Sequence, residues 1–312
     1  MRDDKLVIIT FGGGVGAGKF LEGLYKVTKK EDNLHIVVNT ADDINIYGVR
    51  VSPDIDSVLH WLSGKVDKKK GWGIKGDTFN HIKKFEIEDS WFGLGDRDFK
   101  ENEKKFSMME RGSTLQKVVD NQRKKLKITK ARILPMTNQI VETYIKTKNR
   151  EMHFQEYLIK FKMMPKVEKI IFKNIRKAKP SNDLIKSILK ASLIIFCPSN
   201  PIISIDPILS VSGVKETIKK SRAIKVAISP IVDSKAFQGP VLKLMRTKGL
   251  EPSVVGVSKF YQGMADYMMI DNLDKKYAKK IFSMGMTPLI RDIRMTDLKI
   301  SQSMAESIID LV

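Results

Sequence analysis

Leu6-Val7-Ile8-Ile9-Thr10-Phe11-Gly12-Gly13-Gly14-Val15-Gly16-Ala17-Gly18-Lys19 is the stretch on which the fold turns. Its first six residues are apolar except for Thr10, the pattern of a strand covered on both faces. The glycines that follow permit a sharp turn. Lys19-Phe20-Leu21-Glu22-Gly23-Leu24-Tyr25 then carries helical spacing, and His35-Ile36-Val37-Val38-Asn39 reads as a second strand. Strand, glycine loop, helix and strand in that order predict a parallel sheet with helices packed on it.

The same alternation returns late in the chain. Ser181 can cap a helix running to Lys190, and Leu193-Ile194-Ile195-Phe196 is a buried strand ending in Cys197-Pro198-Ser199-Asn200-Pro201. Lys225-Val226-Ala227-Ile228 ends in Ser229-Pro230-Ile231, and Tyr267-Met268-Met269-Ile270 is a further strand. Nearer the start, Ser52 and Pro53 suit the cap and first turn of a helix through Leu62. The middle differs: Ser113-Thr114-Leu115-Gln116 looks like a capping box, and residues 141–147, 152–161 and 167–172 read as extended segments joined by polar turns. The expected fold is therefore α/β, Rossmann-like and doubly wound, with a mainly parallel sheet and an inserted helical and antiparallel subdomain. The core would take residues 1–64 and 180–312, and the insert residues 65–179.

The chain has 312 residues, 42% of them apolar and 29% charged, enough to bury a core and too apolar for a disordered chain. No stretch approaches the ~18 apolar residues of a membrane span, and the acidic residues near the start do not resemble a signal peptide. A single cysteine, Cys197, excludes an internal disulfide framework or a cysteine zinc cage. A soluble cytoplasmic protein is expected, with a symmetric homodimer as the default oligomer. The net charge of +20 favours polyanions, but the lysines are scattered in pairs and triplets such as Lys68-Lys69-Lys70. No zinc finger, RNA-binding aromatic signature or basic tail accompanies them. Nucleic acid is thus not the expected partner, and a phosphate-bearing small molecule fits better.

In doubly wound sheets ligands sit beyond the carboxyl ends of the strands. Three strand ends here carry unusual loops, at residues 12–18, 198–201 and 229–231. The first meets the front of the P-loop pattern, but Phe20 stands where Ser or Thr would hold magnesium, so a nucleoside triphosphatase is disfavoured. Glycines before a helix N-terminus still favour a phosphate. Four carboxylates lie close by in sequence: Asp42, Asp43, Asp54 and Asp56. Hard oxygen ligands suit magnesium, which takes one or two carboxylates and then substrate phosphates. Positions 54 and 56 differ by about 200° around a helix, so they face apart. Asp56 is expected in the site and Asp54 in the helix cap.

Taken in order, these segments resemble the 2-phospho-L-lactate transferase (CofD-like) family of coenzyme F-420 biosynthesis. The resemblance rests on the glycine loop, Val38-Asn39-Thr40-x-Asp42-Asp43, Ser52-Pro53-Asp54-Ile55-Asp56, Gly71-Trp72-Gly73-Ile74, Gly76-Asp77-Thr78-Phe79, Trp91-Phe92-Gly93-Leu94-Gly95-Asp96-Arg97-Asp98, Leu134-Pro135-Met136, His153-Phe154-Gln155-Glu156-Tyr157, Pro198-Ser199-Asn200-Pro201, Ser229-Pro230-Ile231 and Gly239-Pro240. It implies a transferase that moves a 2-phospholactyl, or enolpyruvyl phosphate, group from a guanosine diphosphate ester to the ribityl hydroxyl of the deazaflavin Fo, releasing GMP, with magnesium required. The insert would bind the acceptor. Asp43 and Asp56 would be catalytic and hold magnesium. Asp56, Trp91, Phe92, Gly93 and Leu94 would lie along the deazaflavin, and Gly12, Gly13, Gly14, Gly16, Ser199, Asn200 and Ser229 would bind phosphate and nucleotide. Position 93 can be lysine in the family, so a contact at Gly93 would come from its backbone. The related gluconeogenesis-factor (YvcK-like) regulators, which bind a nucleotide sugar without catalysis, are the alternative.

Overall fold

The computed structural model describes residues 6–29, 33–84, 90–236 and 239–312; residues 1–5 and Lys30 of the Lys29-Lys30 pair lie outside them. Seven strands form the central sheet: β1 (Val7–Gly12), β2 (Asn33–Val38), β3 (Ala131–Pro135), β4 (Leu193–Phe196), β5 (Ile224–Ile228), β6 (Tyr267–Asp271) and β7 (Thr287–Arg291). Their spatial order is β7-β6-β5-β4-β1-β2-β3, and every neighbouring pair is parallel.

The two-sided burial expected of β1 is met residue by residue. Ile8 joins one apolar cluster with Ile36, Ile195 and Ile228, while Ile9 joins another with Val37, Ile194 and Ala227. Successive side chains point to opposite faces of a strand, so one run of branched apolar residues feeds both cores. The first core is roofed by α1 (Gly14–Val27), α2 (Pro53–Leu62) and the C-terminal helix Leu298–Ile309; the second by Asn182–Lys190, Val241–Thr247 and Val254–Tyr261 among others. This is a doubly wound α/β fold.

Strand β3 lies inside the 65–179 interval yet pairs with β2 at the sheet's end, so the chain returns to the core midway through the expected insert. The antiparallel part is a three-stranded sheet of Glu142–Lys146 between Glu151–His153 and Lys169–Lys173. The expected extended segment 152–161 is corrected here: the strand stops at His153 and Glu156–Lys160 is helical. Glu156 Oε2 accepts the His153 amide at 3.1 Å, which turns the chain, and Tyr157 is wholly buried. The helix α3 (Asp96–Glu110) follows the aromatic segment, and Thr114, rather than Ser113, caps Leu115–Lys125 by accepting the Lys117 amide at 3.3 Å. Ser181 caps Asn182–Lys190 as expected, accepting the Leu184 amide at 3.2 Å. Among the described residues no helix is long and apolar enough to cross a membrane.

Candidate functional site

Strand order reverses between β1 and β4, so the loops leaving them diverge and open a crevice at their carboxyl ends. The glycine loop leaves β1 and residues 197–200 leave β4. They are stitched together: Ser199 Oγ accepts the Gly13 amide at 3.2 Å and donates to the Gly13 carbonyl at 3.0 Å. The fit requires bare backbone, since a Cβ on Gly12 would come within 2.7 Å of Ser199 Oγ. From the other side Asn39, at the end of β2, donates Nδ2 to Asp54 Oδ2 at 3.0 Å while its Oδ1 accepts the Ala41 amide at 3.0 Å. Asp54 also accepts the Gly14 amide, at the head of α1. The Gly13 and Gly14 amides are therefore engaged by the protein's own side chains, with Asp54 as the anion at the head of α1.

The Asp42-Asp43 pair follows β2 and is clasped by residues 153–155. His153 Nε2 lies 3.2 Å from the Asp43 carbonyl and Gln155 Nε2 donates to the Asp42 carbonyl at 3.2 Å. The His153 Nδ1 accepts the Gln155 amide at 3.1 Å, so the ring proton sits on Nε2 and donates to Asp43. Burial holds this imidazole neutral, down at about 4. Ser52, expected to cap α2, makes no cap bond; it donates its hydroxyl to Asp43 Oδ2 at 2.7 Å. Arg50 Nε stands 3.5 Å from the same oxygen. Burial raises Asp43 to about 6 against the pull of Arg50 and Lys105, and Asp54 to about 7. It also lifts Asp42 well above the ordinary carboxylate range, with Asp54 adding to the effect.

Asp54 and Asp56 do face apart, but opposite to the expectation. Asp54 turns to the glycine loop, whereas both oxygens of Asp56 face the Lys105 ammonium of α3, at 3.3 and 3.5 Å. Lys105 is only 1% exposed.

A cavity of about 700 Å³ opens on this junction. Its polar end is formed by Gly13, Gly14, Gly16, Asp42, Asp54, Ser57, Ser199 and Asn200, and its apolar wall by Trp72, Trp91, Phe92, Gly93, Phe154 and Leu158. Among the described residues three of the polar lining atoms are buried without a hydrogen-bond partner: Asp42 Oδ1, Ser57 Oγ and Asn200 Nδ2. A buried polar atom without a partner is costly, and three of both donor and acceptor type at one cavity suit a polar ligand. Of the expected residues, Gly12 lies under the loop, Leu94 packs with Ile44 and Val49, and Ser229 bonds within its own turn to Ile231. Asp43 and Asp56 are buried, and it is their neighbours Asp42 and Asp54 that reach the cavity.

Ser57, Trp72 and Gln155 are lining residues that the sequence reading did not assign. Ser57 was accessible to it: residues three apart on a helix share a face, so a site at Asp54 implies one at Ser57. The aromatic wall is set by Tyr47, whose hydroxyl donates to the Phe92 carbonyl at 2.8 Å and accepts the Phe92 amide at 3.2 Å. The Trp72 ring lies against Gly93, where a Cβ would approach it to 3.2 Å. Asp77 and Asp96 then latch the segment to α3: Asp77 accepts the Arg97 and Asp98 amides, and Asp96 accepts the His81 amide at 2.9 Å. Among the described residues no group of three His, Cys, Asp or Glu side chains stands ready for a metal.

A model of one protein family, described as 2-phospho-L-lactate transferase CofD, matches residues 8–307. The chain belongs to the 2-phospho-L-lactate transferase (CofD) family. A 2-phospho-L-lactate transferase of Methanocaldococcus jannaschii is 38% identical over 88% of this chain and 89% of its own length. One from Methanosarcina mazei is 35% identical over 97% and 99%. A phosphoenolpyruvate transferase of Streptomyces coelicolor is 31% identical over 97% of each chain. Membership in the CofD family makes the chain a transferase. A crystal structure of a UPF0052-family protein from Bacillus halodurans superimposes with a TM-score of 0.66 over 99% of this chain and all of its own, at 19% identity; that likeness is one of fold.

Proposed function

We propose that this CofD-family chain transfers a 2-phospholactyl or enolpyruvyl phosphate group from a guanosine diphosphate ester to the ribityl hydroxyl of Fo, releasing GMP. The observation that carries this reading is the composition of this cavity: unpaired polar atoms against the glycine loop, and an aromatic wall of Trp72, Trp91 and Phe92 beside them. A diphosphate suits the first and a flat tricyclic ring suits the second.

In the proposed reaction the acceptor oxygen bonds to the phosphorus bearing the lactyl group as the bridging bond to GMP breaks. The hydroxyl proton passes to a carboxylate and GMP leaves with the bridging oxygen. Such transfers are governed by position and electrostatics. Asp54, whose carboxylate reaches the cavity and is raised to about 7 by burial, suits the proton acceptor. Asn200 offers Nδ2 to the diphosphate, with its Oδ1 already fixed by the Ile202 amide at 3.0 Å.

Magnesium would find one unpaired carboxylate oxygen at the cavity, Asp42 Oδ1; Asp43 Oδ1 is also without a partner among the described residues, but its side chain does not line the cavity. Asp56, expected as the second ligand, is engaged by Lys105, so Asp42 takes that place in the proposal. Bound there, magnesium would neutralise charge on the diphosphate.

A fluorescence titration of Fo tests the assignment. Saturable binding of Fo is expected; a chain that binds a nucleotide sugar and ignores Fo belongs with the regulators instead.

A further inference from the structure

Ser57 is the unassigned group in this cavity. It lies on α2, is 7% exposed, and its hydroxyl has no hydrogen-bond partner among the described residues. A helical serine ordinarily satisfies itself on a carbonyl of the preceding turn; this one does not, and it lines the cavity.

Its place along α2 is fixed from both sides. One turn earlier, Asp54 packs on Gly13. One turn later, Trp61 packs on Gly18 and donates Nε1 to the Gly71 carbonyl at 3.2 Å. Gly71 in turn abuts Val15, next to Trp72 of the aromatic wall. Ser57 thus stands at the seam between the glycine loop and the aromatic wall. If the diphosphate lies along the loop and the ring along the wall, the hydroxylated chain joining ring to phosphorus crosses this seam.

We infer that Ser57 is a substrate-binding residue, its hydroxyl hydrogen-bonding the hydroxylated side chain of the acceptor and holding it for attack. The inference rests on the transfer reaction proposed above. Ser57 and Asp54, three residues apart, present a hydroxyl and a carboxylate on one helix face, a pairing suited to neighbouring hydroxyls of a polyol. A hydroxyl can both donate and accept, so it needs no charge change during the reaction.

The test compares the full chain with Ser57→Ala and Ser57→Thr, by Fo titration without donor, by steady-state kinetics with magnesium and each guanosine diphosphate ester, and by thermal melting. Ser57→Ala is expected to weaken Fo binding roughly 2- to 12-fold, the reach of one neutral hydrogen bond. The donor's KM should stay within about twofold and the melting temperature near wild type, while Ser57→Thr restores Fo affinity. With an active wild type, unchanged Fo affinity in Ser57→Ala, or a change in the donor's KM instead, overturns the assignment of Ser57 alone. A wild type that neither binds nor converts Fo removes the transferase assignment and Ser57's role with it.

Discussion

The Asp54 carboxylate occupies the space where Gly13 would carry a side chain. The contact joins the first turn of α2 to the head of α1 and places a negative group where a helix N-terminus attracts one. Gly13→Ala must displace that carboxylate. Overpacking of this kind costs about 1–3 kcal/mol, so a lower denaturation midpoint and a sharp loss of transfer are expected. A variant with wild-type stability and turnover would show that Asp54 moves away at no cost.

Lys105 and Asp56 form an ion pair with the lysine fully buried. Removing one partner of a buried pair leaves an uncompensated charge and costs about 3–5 kcal/mol. Lys105→Met should therefore be strongly destabilising, and Asp56→Asn added to it should recover part of the loss. Chemical denaturation of the two single variants and the double variant measures the coupling; simple additivity would mean that the pair contributes nothing. Asp56→Asn alone should also lower the denaturation midpoint, because it leaves the Lys105 ammonium buried without its charged partner.

Cys197 follows β4 directly and has no exposure, and burial pushes its thiol up to about 12. Thiolate is the reactive form. The native protein should resist a thiol reagent such as DTNB at neutral pH and react fully once unfolded in guanidinium. Rapid labelling of the folded chain would place the thiol within reach of solvent.

Chelation should stop transfer. EDTA is expected to abolish turnover and added magnesium to restore it, and Asp42→Asn should raise the magnesium concentration needed for half-maximal rate. Undiminished activity in EDTA would remove the metal from the mechanism.

Much of this was legible in the sequence because two-sided burial leaves a plain mark. Ile8, Ile9, Ile194, Ile195, Val226 and Met269 stand in continuous apolar runs and all lie in the central sheet. Strand β7 escaped because Thr287-Pro288-Leu289-Ile290-Arg291 is an edge strand, only partly buried and bearing a proline. Residues 152–161 misled through alternation: the apolar spacing is shared by a strand end and the helical turn that follows it. The choice between Asp54 and Asp56 shows the limit most clearly. Helical phase gives the angle between them, but Lys105, which claims Asp56, is 49 residues away in sequence and reaches it only through the fold.

Transfer itself is measured most directly by mass spectrometry of Fo incubated with the chain, magnesium and each guanosine diphosphate ester in turn. A new phosphodiester-linked product should appear with one equivalent of GMP, from the lactyl or the enolpyruvyl donor. Fo and both donors returned unchanged, by a folded chain that binds them, would contradict a transferase built on this cavity.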